Sequence, residues 1–135
     1  MGSDGSNTVD GGRQVTSGRG NCDLRERTKS FALRVIRMVS VLPKSDVARV
    51  LGKQVLRSGT SVGAHYHEAC RARSTAEFIS KIEGGLQELE ETGYWLELLS
   101  DSQLLPAKRL ADLQRETEEL TAIFASSALT AKKNR

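Results

Sequence analysis

Leu56 to Glu77, LRSGTSVGAHYHEACRARSTAE, brings glycines, basic residues and a helix-restart signal together in one short stretch. On a helix turning about 100° per residue, Gly52, Gly59, Gly63 and Cys70 fall within about 40° of one another. A second stripe carries Arg49, Lys53, Arg57, His67 and Arg71, and a third carries Val47, Leu51, Val55, Val62 and Ala69. One helix therefore offers a small, a basic and an apolar surface. A glycine in a helix interior costs about 0.8–1 kcal/mol relative to alanine. Three on one face imply close approach of a neighbouring helix; the alternative is a kink or a break at this point.

Working outward, Leu24, Thr28, Phe31, Val35, Met38 and Leu42 alternate spacings of four and three, which is the seam of a bundled helix. Asp23 and Glu26 form a possible cap pair at its start, and Pro43 stops it. Lys44-Ser45-Asp46 is a turn and cap for the second helix, which is expected to run to about Arg71. Ser74-Thr75-Ala76-Glu77 is a capping box. Phe78, Ile82, Gly85, Leu89, Thr92, Leu96 and Leu99 form the third seam, and Leu110, Leu113, Thr117, Leu120 and Phe124 the fourth, after a turn at Pro106. Short turns between four such helices predict an all-α, antiparallel up-down-up-down four-helix bundle over residues 23–129. Residues 1–22, with six glycines and no periodicity, read as a disordered tail, and residues 130–135 as a short basic tail.

Leu33, Ile36, Tyr94, Trp95 and Leu98 fall outside the seams. Apolar side chains off the core face suggest an oligomer or partner contact; the alternative is that a slightly wide core stripe buries Tyr94, Trp95 and Leu98. The charge is divided. Residues 24–73 carry eleven Lys or Arg against three acids, net +8, whereas residues 74–105 carry one Lys against seven acids, net −6. Glu83, Glu90 and Glu97, seven apart, are available to pair with arginines of a neighbouring helix. No apolar run approaches the ~18 residues of a membrane span. Cys22 lies in a polar tail and Cys70 on the small-residue stripe, which gives an internal disulfide little structural logic, so a reducing, cytoplasmic setting is expected.

The residues offer little to catalysis. His65, His67 and Cys70 resemble a ligand set, but His65 and His67 point about 160° apart on a helix. Neither an Arg-x-x-x-x-His pair nor a phosphate-binding glycine loop is present, and Ser61 with His65 at i+4 lacks a carboxylate to complete it. The chain is expected to be non-catalytic, with no metal and no cofactor. What remains is a basic surface suited to phosphate backbones, bound with little sequence preference and strong salt dependence. A solvated basic face that complements the acidic third helix is the competing reading.

The stretches RTKSFALRVIRMVSVLP, LGKQVLRSGTSVGAHYHEACRARSTAEFISKI and EETGYWLELLSDSQLL resemble the proteins encoded in intervening sequences of bacterial 23S ribosomal RNA genes. The resemblance implies an up-down helical bundle assembling as a homopentamer around a basic opening. It extends to the accessory variability determinant of diversity-generating retroelements, which binds nucleic acid and a reverse transcriptase. By that similarity Arg27, Arg34, Arg57, Arg71 and Arg73 would contact nucleic acid; the basic stripe adds Arg49, Lys53 and His67. The family pattern leads one to expect Asn and Arg where His65 and His67 stand. The functional expectation is an oligomeric RNA- or DNA-binding accessory protein, without a membrane. The alternative is a protein–protein adaptor or scaffold, for example for a reverse transcriptase.

Overall fold

The computed structural model describes residues 23–135, so the tail expected over residues 1–22 lies outside the described residues. The described residues form four helices and no strand: α1 (Leu24–Ser40), α2 (Asp46–Cys70), α3 (Thr75–Asp101) and α4 (Ala107–Lys133). The chain is all-α. α2 packs against both α1 and α3, and α3 packs against α4. The seam between α1 and α4 is the thinnest of the four.

The seams read from spacing are the core. Thr28, Phe31, Val35 and Met38 of α1 are buried, as are all seven seam positions of α3 and all five of α4. Val55, Val62 and Ala69 of the apolar stripe on α2 join them, but Val47 stands 59% exposed in the first turn of that helix. The core excludes most polar groups. Among its exceptions, Ser58 of α2 and Thr92 of α3 are both fully buried, with their hydroxyl oxygens 2.8 Å apart. Each hydroxyl also has a carbonyl of its own helix in reach, Val55 for Ser58 and Glu88 for Thr92. The pair thereby satisfies itself in the dry interior.

The glycines of α2 face α1 without breaking the helix. A Cβ built on Gly59 would lie 2.9 Å from Val35 Cγ2, one on Gly52 3.1 Å from Leu42 Cδ1, and one on Gly63 3.4 Å from Thr28 Oγ1. The small stripe thus seats the branched Val35 directly against the α2 backbone. α2 is continuous from Asp46 to Cys70, so the helix does not break there.

The ends of the helices follow local chemistry. Ser45 accepts from the Ala48 amide, and Ser74 from that of Glu77. Glu77 completes the box one residue early, accepting from the Arg73 amide rather than from Ser74. Asp23 is not a side-chain cap: its backbone is already helical, at φ −59° and ψ −29°, which turns the carboxylate away from the first amides. α3 closes in a Schellman turn, with the Leu104 amide donating to the Leu99 carbonyl, and Gln103 takes the left-handed conformation at φ 61°. At the other end of the chain, the basic tail expected from residue 130 is helical as far as Lys133, because Ala128 and Ala131 bury against the core and extend the fourth seam.

Cys70 corrects another expectation. It is disulfide-bonded rather than a free thiol, and the chain's other cysteine lies outside the described residues. The last turns of α2 sit beside the start of α1, where the Leu24 amide donates to the Tyr66 hydroxyl at 3.5 Å. The thiol argument for a reducing compartment is therefore removed. No helix of the described residues is long and apolar enough to cross a membrane.

Candidate nucleic-acid interface

The eight residues expected to bind nucleic acid do not share one surface. Helical phase decides which neighbour each one meets. Arg27 points from α1 to α4, where its Nε and Nη2 donate to Glu116 at 2.8 Å each and Nη2 also reaches Glu119 at 2.7 Å. This fork bridges the thin α1–α4 seam. Hydrogen bonding to Glu116 raises the Arg27 pKa further, and the same bonds hold the Glu116 carboxyl below the usual carboxylate range. Arg34 adds its field to the same carboxylate without bonding to it.

Arg57 points from α2 to α3, donating to Glu88 at 3.3 Å and to Glu91 at 2.6 Å, and its pKa is raised chiefly by the Glu88 bond. The acids that meet it are therefore not the seven-spaced set. Of that set Glu83 turns to α4 and pairs with Lys132 at 2.6 Å, while Glu90 and Glu97 face solvent. Arg71 and Arg73 are exposed around the α2–α3 turn. The two histidines diverge. His65 lies against the backbone of Gly84 and Gly85 on the α3 side, 3.9 Å from both Glu68 and Glu88. His67 projects towards α1, with Nδ1 3.2 Å from Arg25 Nη2.

The remaining cations converge on the furrow between α1 and α2. At one end a hollow is lined by Arg25, Lys29 and His67 over a floor of Ala32, Thr60, Gly63 and Ala64, with Glu26 as its acid. At the other end Lys44, Arg49 and Lys53 surround a second hollow over Val39, Leu42, Ala48, Gly52 and Leu56. Asp46 offsets Arg49 there through a contact of 3.0 Å between exposed groups. Lys29, Lys44 and Lys53, like Arg34, Arg71 and Arg73, have no carboxylate within ion-pairing distance among the described residues. The furrow exists because glycine and alanine keep its floor low while long side chains form its rims. Arg25, Lys29 and Lys44 were missed from the sequence; the signal was their register, since Arg25 and Lys29 lie four apart on the α1 flank that faces α2.

Of the five positions expected at an oligomer contact, Leu33 and Ile36 are each 42% exposed and Tyr94 54%. Trp95 is half-buried against the core, with the Tyr94 ring 5.2 Å away, and Leu98 is also half-buried. The indole Nε1 is enclosed without a hydrogen-bond partner. Val47 and Val50, neither of them expected there, are exposed on α2. Among the described residues no group of three or more His, Cys, Asp or Glu is placed to hold a metal ion.

The chain is similar to a protein of unknown function from the S23 ribosomal protein family of Bacteroides thetaiotaomicron, whose crystal structure is known at 1.70 Å. The two are 34% identical with a TM-score of 0.72, over 76% of this chain and 95% of that one. No curated protein matches. The 23S rRNA-intervening sequence protein family matches residues 21–126, which include α1, α2, α3 and most of α4. By that match and by its four-helix core, the chain belongs to the 23S rRNA-intervening sequence protein family.

Proposed function

We propose that the chain is a non-catalytic nucleic-acid-binding accessory protein that grips phosphates along the α1–α2 furrow. The observation that carries this reading is that Lys29, Lys44 and Lys53 line the furrow with no carboxylate to neutralise them among the described residues. Arg25 stands with them, as does Arg49, whose pairing with Asp46 is between exposed groups of one helix and weak, so five permanent cations share one face. Arg27 and Arg57, whose guanidinium groups are already occupied by carboxylates, serve the fold instead. The proposal extends to an antiparallel up-down-up-down arrangement, supported by the order in which Gly52, Gly59 and Gly63 meet Leu42, Val35 and Thr28.

Anisotropy titration of a panel of structured RNAs and DNAs at 50 and 200 mM salt tests it. Five neutralised phosphates give a slope near −4.5 in log K against log salt, and hence a fall of roughly 500-fold between those concentrations. Absence of binding to every member of the panel at 50 mM salt rejects the reading.

A second reading, an adaptor working through protein contacts, is favoured by the exposed Leu33, Ile36, Val47, Val50 and Tyr94 and by the unpartnered Trp95 indole. Self-association, with the homopentamer as the proposed form, would cover that apolar surface, and so would a reverse transcriptase or another partner. Solution mass by light scattering, with and without nucleic acid, separates the two readings: an adaptor assembles on its partner and ignores RNA.

A further inference from the structure

Recognition of single strands and of duplexes demands different surfaces. Proteins that hold single-stranded nucleic acid stack the bases on aromatic side chains, whereas a duplex hides its base faces and presents charged backbone. Neither hollow of the α1–α2 furrow is lined by Phe, Tyr or Trp, and the one imidazole there, His67, is held against the Arg25 guanidinium at 3.2 Å. Phe31 and Tyr66, the aromatics of these two helices, are buried in the core, with 0% and 4% exposure. Tyr94, the one exposed aromatic of the described residues, is on α3. The furrow therefore holds cations but no large aromatic face on which successive bases could stack.

It also has little with which to read a base edge. The Thr60 hydroxyl, midway along the floor, already donates to the Leu56 carbonyl at 2.7 Å. Arg25 is engaged with His67. The free groups are lysine ammoniums, which meet phosphate as point charges. The cations lie in two groups. From Lys53 to His67 is about 21 Å along α2 at 1.5 Å per residue, which matches about six base pairs of duplex at 3.4 Å each. A rigid polyanion of at least that length engages both groups at once.

We infer that the α1–α2 furrow takes double-stranded nucleic acid by its backbone alone, with the Arg25–Lys29 end and the Lys44–Lys53 end on separate stretches of phosphate. This rests on the proposed nucleic-acid binding and specifies the ligand's form. The A-form RNA duplex and the B-form DNA duplex share the chemistry, and the test carries both.

The full chain is titrated at 50 mM salt with 16-base-pair RNA and DNA duplexes of two unrelated sequences, and with each component strand chosen to be unstructured. The expected result is binding of at least one duplex form at least tenfold tighter than its strands, equal within about threefold between sequences. Lys44→Ala with Lys53→Ala, both exposed and outside the core, lowers the salt slope by about 1.8, at about 0.9 for each phosphate that the protein no longer neutralises. Strands binding as well as duplexes, or a slope unmoved by the double variant while its thermal midpoint is unchanged, would overturn the duplex assignment and leave nucleic-acid binding standing. Failure of every duplex and every strand to bind would instead overturn the proposed function.

Discussion

Replacing Arg27 by alanine tests whether that residue holds the fold or the ligand. The change removes two bonds of 2.8 Å to Glu116 and one of 2.7 Å to Glu119. The Arg27 and Glu119 side chains are 36% and 55% exposed, so solvent screens much of the pairing; Glu116 is only 15% exposed. An exposed pair contributes about 0–1 kcal/mol, and breaking a fully buried one costs about 3–5 kcal/mol. This intermediate case should therefore cost about 1.5 kcal/mol, which lowers the melting temperature by roughly 6 °C for a domain of this size. Because Glu116 has a depressed carboxyl pKa when folded, the stabilisation is fully present above the unfolded carboxyl value, about 4.3, and is lost as pH falls through the folded value. Urea unfolding at fixed protein concentration, as a double-mutant cycle with Glu116→Gln at pH 7 and again below pH 4, measures it. A coupling below about 0.3 kcal/mol at pH 7, or one that does not shrink on acidification, would refute the clamp.

Other substitutions separate the physical effects in the same assay. Gly59→Ala should destabilise by about 1–3 kcal/mol despite its better helix propensity, because the new Cβ meets the stiff Val35. Gly93→Ala, whose Cβ would meet only Thr117 Cγ2 at 3.8 Å, should stabilise by about 0.5–1 kcal/mol. Gln103→Gly relieves a positive φ and should raise stability by about 0.5–1 kcal/mol. Thr92→Val leaves the Ser58 hydroxyl with a single 3.4 Å bond to Val55 in the dry core and should cost about 1–2 kcal/mol; adding Ser58→Ala should recover part of that.

Residue spacing was a good guide to the seams because the bulk of a core depends on which face each residue occupies, and helical phase gives that directly. Phe78 through Leu99 and Leu110 through Phe124 are buried where spacing put them. The glycine stripe was legible for the same reason. What phase does not give is the identity of the residue opposite. Arg27 and Arg57 looked like the rest of the basic surface until α4 and α3 brought Glu116, Glu88 and Glu91 within reach. Val47 has the phase of a core residue, yet it sits in the first turn of α2 and stays wet. Cap chemistry was half legible, since Ser45 and Ser74 carry their own acceptors, whereas Gln103 has nothing in its side chain to announce a left-handed turn.

The most direct test of the binding surface compares two sets of cations. Wild type, the triple variant Lys29→Ala, Lys44→Ala and Lys53→Ala, and the double variant Arg27→Ala and Arg57→Ala are titrated with one structured RNA at several salt concentrations, each confirmed folded by circular dichroism. The lysine variant is expected to lose about 2.7 from the salt slope while the arginine variant keeps the wild-type slope. Wild-type binding with its slope reduced only by the arginine substitutions would contradict that expectation.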